Sequence, residues 1–231
     1  MSRVVAIIPA RGGSQGIPRK NLKKIEGLTL VEHAIQQGLA AHNIDEVIVS
    51  SEDAEIRDLS ETAGARVMDR PEEFHHDNSI QEVDRLLQWT VGTLRKRGES
   101  VDVVVLLYPT APLRRVETIE AAVGKVLSDE YDSVLSLYED FSYLWKVDSG
   151  QTSPMNYDPK TRGPRQKETW NQWVENKAVY AFRADLLLET GCRLGGRTGY
   201  VEMGKLESLD IDSVDDLELA RVVFAKRQVR D

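Results

Sequence analysis

Three stretches of this sequence carry residue types suited to handling a phosphorylated ligand. The first is Pro9-Ala-Arg-Gly-Gly-Ser-Gln-Gly-Ile-Pro-Arg-Lys-Asn21. Its glycines Gly12, Gly13 and Gly16 let the backbone turn tightly and aim N–H groups at an anion, and Arg11, Arg19 and Lys20 add fixed positive charge. Arginine also grips a phosphate through two parallel hydrogen bonds. The stretch is not a Walker A loop, because Lys20 has no glycine before it and Asn21 after it, and it lacks G-x-G-x-x-G spacing. The second stretch is Tyr108-Pro-Thr-Ala-Pro-Leu-Arg114, where two prolines stiffen the chain and fix Thr110 and Arg114. The third is Glu207-Ser-Leu-Asp-Ile-Asp212. On an extended segment Asp210 and Asp212, two residues apart, point the same way. Paired carboxylates favour a divalent cation, and Mg²⁺ takes one or two carboxylates together with substrate phosphate oxygens. A plainer role also suits this stretch, since Asp212 or Ser213 can cap a following helix.

Other reactive side chains form no recognisable motif. His75-His76-Asp77 sits without ligand spacing elsewhere, and adjacent histidines in a strand or turn diverge. Cys192 has no paired histidine, and Trp145, Trp170 and Trp173 read as packing groups rather than a base-stacking surface.

The phosphate-type stretches must be positioned by something regular. Val4–Ile8 is a continuous apolar run that fits a strand buried on both faces of a parallel sheet. Helical periodicity follows over about 29–41, then a strand at 46–50, a helix at 54–63 stopped by Gly64, and a short strand at 65–68. A helix over about 79–97 precedes the most apolar strand, 101–107, and a helix at 116–127 precedes a strand at 133–137. A mixed, aperiodic stretch runs from about 138 to 174 before a strand at 178–182, a helix from 184 and a last helix at about 214–227. Strands alternating with helices predict an α/β fold with a Rossmann-like, doubly wound, mostly parallel sheet. Ligands bind such sheets beyond the carboxyl ends of the strands, where the first two stretches lie.

Composition narrows the class. Thirty basic against 38 acidic residues leave a net charge of −8, which argues against a nucleic-acid binder. A single cysteine excludes an intrachain disulfide and a thiolate zinc cage. With 231 residues, 41% hydrophobic, the expectation is one domain over 1–231 with an excursion at about 138–174. No apolar run approaches the roughly 18 residues of a membrane span, and the N-terminal apolar run is only a few residues long with no cleavage signal, so a cytoplasmic protein without a membrane partner is expected.

Taken together, these segments resemble the nonulosonate cytidylyltransferase family, which includes the CMP-sialic acid synthetases. The loop ending at Asn21 is similar to the family's ARGGSKG…KN nucleotide loop, Pro109–Arg114 to its PTSPLR turn, and Glu207–Asp212 to its SIDID metal motif. Gly163-Pro-Arg-Gln166 and Asn176-Lys-Ala-Val-Tyr180 are similar to its PRQ and NGAIYI segments, so five matches run in order along the chain. The resemblance implies transfer of CMP from CTP to an acidic nine-carbon sugar with release of pyrophosphate, by a homodimer supported by the excursion. It implies nucleotide contacts from Ala10, Arg11, Gly12, Gly13, Ser14, Lys20, Asn21 and Arg70, with Arg70 reading the cytosine. Asp210 and Asp212 would hold Mg²⁺, and Asp210 is also a candidate to steer the attacking hydroxyl. Arg11 and Lys20 join them as the catalytic set. Tyr108, Thr110, Lys146, Arg165, Gln166, Asn176 and Tyr180 are the implied sugar-side residues.

The departures fall mostly on the sugar side. Tyr108 replaces a glutamine, Lys177 replaces the glycine of NGAIYI, and Gly199-Tyr-Val-Glu-Met203 is closer to legionaminic acid-type relatives. On the nucleotide side, Gln15 stands where the loop often carries lysine. Three alternatives stay open: a related nucleotidyltransferase for another sugar or nucleotide, a glycosyltransferase using the Asp-x-Asp pair, and a non-catalytic nucleotide-binding regulator.

Overall fold

The computed structural model describes residues 2–13, 16–75, 80–161 and 170–228. In chain order it begins with β1 (Val4–Pro9), the short hairpin β2 (Lys24–Ile25) and β3 (Leu28–Thr29), and α1 (Leu30–Ala40). Next come β4 (Glu46–Ser51), α2 (Ala54–Thr62), β5 (Arg66–Asp69), α3 (Ile80–Lys96), β6 (Val103–Leu106), α4 (Val116–Leu127) and β7 (Ser133–Glu139). The chain ends through β8 (Trp145–Asp148), β9 (Gln151–Pro154), β10 (Trp173–Arg183), α5 (Ala184–Thr190), β11 (Thr198–Glu202) and α6 (Val214–Gln228).

Local chemistry explains the boundaries. Thr29 and Glu32 form a reciprocal capping box at the start of α1, with Glu32 N donating to Thr29 Oγ1 at 3.2 Å and Thr29 N to Glu32 Oε2 at 2.7 Å. Asp53 caps α2, and Gly64, at a φ of +94°, ends it as expected. Ser213 and Asp216 cap α6 in the same reciprocal way, which leaves the Asp212 carboxylate out of the cap.

Seven strands form one sheet in the order β11-β7-β10-β6-β1-β4-β5. All pairings are parallel except those of β10, which runs against both β6 and β7. The fold is therefore a Rossmann-like, mostly parallel α/β sheet. Alternation along β1 makes it three-layered. Val4, Ala6 and Ile8 pack into the core shared with α1 and α4, whereas Val5 and Ile7 join the core under α3 and α5.

Three features depart from the expected elements. The last internal strand is longer than 178–182, because β10 is interrupted by an irregularity between Glu175 and Tyr180 that breaks its period. β11 was not anticipated, since its mixed Thr-Gly-Tyr-Val-Glu composition does not read as a buried run. The aperiodic stretch is partly ordered: β8 and β9 form a hairpin turned by Ser149 and Gly150, both at positive φ (49° and 81°). At its neck Asp140 N donates to Gln172 O at 3.0 Å. No described helix is long and apolar enough to cross a membrane.

Candidate active site

The carboxyl ends of β1 and β6 open onto a cavity of about 740 Å³, closed on the other side by the irregular half of β10. The loop after β1 forms one wall. Arg11, Gly16, Lys20 and Asn21 line it. Asn21 is buried and donates from Nδ2 to Arg11 O at 2.9 Å, so its amide fixes the loop that presents Arg11. Two expectations change here. Gly12 N does not point at open space but donates to Glu52 Oε1 at 2.8 Å. Arg19, at a φ of 53°, turns its guanidinium away to Asp53 and Glu55 and adds no charge to the cavity wall.

The carboxylate segment faces this loop. Asp210 and Asp212 both line the cavity, while Ile211 between them is fully buried with Ile17, Ile25, Leu30 and Leu217. This alternation is what the i, i+2 spacing predicts. Ile211 N donates to Thr110 O at 2.8 Å, which pins the segment to the turn after β6. Lys20 Nζ reaches Asp212 Oδ1 at 2.9 Å, and Lys177 Nζ reaches Asp210 Oδ2 at 3.0 Å. Asp210 Oδ1 is buried without a hydrogen-bond partner among the described residues, an open acceptor that fits a cation. Among the described residues no group of three acidic, His or Cys side chains converges that could hold a metal ion.

The floor is rigid. Arg114 is buried and donates from Nη1 to Tyr108 O and Ala178 O, both at 2.8 Å, tying the post-β6 turn to β10. With no described carboxylate against it, burial pushes its guanidinium down to about 9.

On β10, Asn176 plugs the irregularity. Its Oδ1 accepts from Ser136 Oγ at 2.5 Å and Ala178 N at 3.1 Å, and its Nδ2 donates to Ser208 Oγ at 2.8 Å. The next residue, Lys177, is held at a φ of 57° and projects into the cavity. Beyond it Tyr180 donates to Glu175 and stacks edge-on to Tyr108, with ring centroids 6.4 Å apart. Arg193 lies over the Tyr180 ring at 4.7 Å and makes a buried ion pair with Asp84 at 2.5 Å. Burial holds the Tyr108 phenol above its usual range. At the far end, Arg70 is buried in the lining; desolvation pulls its guanidinium below the ordinary range, with Glu52 opposing this and Arg11 adding to it.

Of the residues singled out from the sequence, Arg11, Lys20, Asn21, Arg70, Tyr108, Thr110, Tyr180, Asp210 and Asp212 meet in this one cavity. Ala10 is buried in the core behind it, Gly13 is open to space, and Asn176 is enclosed in its hydrogen-bond network below the wall. Lys146 is exposed on the β8–β9 hairpin and is not part of the lining. Ser14, Arg165 and Gln166 lie outside the described residues, as does His76-Asp77. Glu175, Lys177, Arg193 and Glu52 were not chosen from the sequence as site residues. Only Lys177 left a sequence signal, as a lysine where glycine was expected.

Comparison with known proteins bears on this site. A family model described as Cytidylyltransferase matches residues 5–218. The chain is 33% identical over 213 residues to N-acylneuraminate cytidylyltransferase A of Danio rerio, covering 90% of this chain and 48% of that protein, so it spans about half the length of that relative. It is 30% identical over 246 residues to CMP-N,N'-diacetyllegionaminic acid synthase of Legionella pneumophila, with 98% of both chains covered. Among solved structures, CMP:2-keto-3-deoxy-manno-octonic acid synthetase complexed with CTP superimposes with a TM-score of 0.69 at 20% identity, over 98% of this chain and 100% of that one.

Proposed function

Because this chain belongs to the cytidylyltransferase family, we propose that it transfers CMP from CTP to the anomeric hydroxyl of a sialic acid-like nonulosonic acid, releasing pyrophosphate. The observation that carries this reading is the meeting of Arg11, Lys20, Asp210 and Asp212 in one cavity at the carboxyl edge of the sheet. In the reaction the sugar oxygen bonds to the α-phosphorus, the bond from that phosphorus to the α,β-bridging oxygen breaks, pyrophosphate leaves with that oxygen, and the proton of the hydroxyl passes to solvent. Such transfer depends on positioning and charge neutralisation more than on covalent chemistry.

Arg11 and Lys20 hold the phosphates in this reading, and Arg70, in the cavity lining, helps read the cytosine. Asp210 and Asp212 hold Mg²⁺, and the open Asp210 Oδ1 supports that role. The ion would supply charge stabilisation at the transferring phosphoryl group. Tyr108, Thr110 and Tyr180 form the sugar side, with Arg165, Gln166, Asn176 and Lys146 as further candidates. The legionaminic acid relative, matched over 98% of its length, supports an acid of the nonulosonic class.

We read 1–231 as one nucleotidyltransferase domain working as a cytoplasmic homodimer. Leu144, Trp145, Val147 and Met155, exposed together on and beside the β8–β9 hairpin, support pairing through the excursion.

The decisive experiment measures pyrophosphate release with Mg²⁺, crossing the four NTPs with N-acetylneuraminic, legionaminic, pseudaminic and 3-deoxy-octulosonic acids. Release is expected with CTP and a nonulosonic acid. Release with a different NTP, or none with CTP and any of the acids, overturns the proposal.

A further inference from the structure

Lys177 is out of keeping with its backbone. At a φ of 57° it occupies the left-handed region, where a residue with a Cβ is disfavoured and glycine is at ease. Nothing in packing demands a lysine there, since its side chain is 57% exposed. The irregularity itself is held by hydrogen bonds of the Asn176 side chain to Ser136, Ser208 and the Ala178 N–H. What the lysine adds is an ammonium 3.0 Å from Asp210 Oδ2, on a carboxylate whose other oxygen is buried and open. Lys20 covers Asp212 from the opposite wall, so each carboxylate of the pair meets a cation from a different element.

We infer that Lys177 is an internal counter-cation that occupies Asp210 in the nucleotide-free protein and that an incoming divalent metal must displace it. An ammonium on Oδ2 and a divalent ion on Oδ1 of the same carboxylate repel one another at this range. The free site therefore takes metal weakly, and metal and triphosphate load together, the anionic nucleotide giving the displaced ammonium somewhere to go. The exposed stem of Lys177 lets the ammonium move without disturbing the core. This rests on the reading of Asp210 and Asp212 as the metal ligands. Lys177 touches no reacting atom here and acts through Asp210, as a positioning residue.

The test titrates Mn²⁺ alone into the nucleotide-free, full-length protein, following free Mn²⁺ by its electron paramagnetic resonance signal, with thermal unfolding run in parallel. Lys177→Gly and Lys177→Ala should each bind Mn²⁺ about two- to fivefold more tightly than the parent, the scale of one partly exposed ion pair. Lys177→Arg should return affinity to the parent value. Lys177→Gly should melt no lower than the parent, because glycine suits the backbone. Unchanged affinity in Lys177→Gly, alongside lost binding in Asp210→Asn, overturns the counter-cation role and leaves the ligand assignment standing. Parent-like binding in both Asp210→Asn and Asp212→Asn overturns the ligand assignment and the inference with it. A gain in Lys177→Gly that is absent from Lys177→Ala would trace to the backbone and overturn the charge argument.

Discussion

The α-carbon of Gly16 faces the carbonyl oxygen of Asp212 so closely that a Cβ added at residue 16 would stand 2.4 Å from it. The loop after β1 and the carboxylate segment before α6 are thus in backbone contact, although nearly the whole chain separates them. Ile17 and Ile211, both buried in the small core under α6, anchor the two segments in the same cluster.

Gly16→Ala therefore has to push the two segments apart, and the displaced atom is main chain. The expected result is a loss of about a hundredfold in kcat/KM for the nucleotide, from a misplacement on the scale of an ångström. Steady-state kinetics with varied CTP check this, and parent-like kinetics would show that the junction gives freely.

Asp212→Ala should separate function from stability. The Asp212 carboxylate is 66% exposed and, among the described residues, hydrogen-bonds to Lys20 alone, while its backbone N–H stays bonded to Asp216 Oδ2 at 3.1 Å. Turnover should fall by about a hundredfold or more, and stability should stay within about 0.5 kcal/mol of the parent. Pyrophosphate release and urea unfolding measure the two halves.

Asn176→Ala should act on stability. It would strip partners from Ser136, Ser208 and the Ala178 N–H inside the sheet. A loss of about 2–4 kcal/mol in urea unfolding is expected. Stability equal to the parent would mean that the amide is not the plug of the β10 irregularity.

These contrasts mark what could be read from the chain alone. The run Val4–Ile8 announces a strand because continuous β-branched residues suit a sheet covered on both faces, and Asp210-Ile211-Asp212 announces its own alternation. The Arg193–Asp84 pair gives no such sign, because its members lie 109 residues apart and meet only once β10 and α5 have packed on α3. Glu52 taking the Gly12 N–H is invisible for the same reason, at a separation of 40 residues. The start of β10 was hidden by its own irregularity, where two-residue periodicity fails. Lys177 entered the site unannounced because its direction depends on that irregularity and on a strand running against its neighbours.

At the opposite end of the sheet, acid should weaken a charge cluster in a defined window. Glu99 is gripped by Arg66 through both oxygens, at 2.7 and 2.9 Å, with Arg3 adding a contact at 3.1 Å. Hydrogen bonding from Arg66, chiefly, holds the Glu99 carboxyl down to about 2 from 4.5. Its contribution to stability is thus complete above pH 4.5 and is lost as the pH falls towards about 2. The difference in urea midpoint between the parent and Glu99→Gln should be flat from neutral pH to 4.5 and shrink below it. A difference that persists unchanged at low pH would contradict the pairing.

The bond from Asp140 N to Gln172 O makes the excursion a side trip that returns to its point of departure. β7 and β10 are neighbours in the sheet, paired from Trp173 and Glu139 onward, so the stretch between them is topologically a hairpin loop grown large. Lengthening, shortening or replacing it leaves both strand ends where they stand. The excursion can therefore be rewritten while the carboxyl ends of β1 and β6, and the cavity they open onto, keep their places.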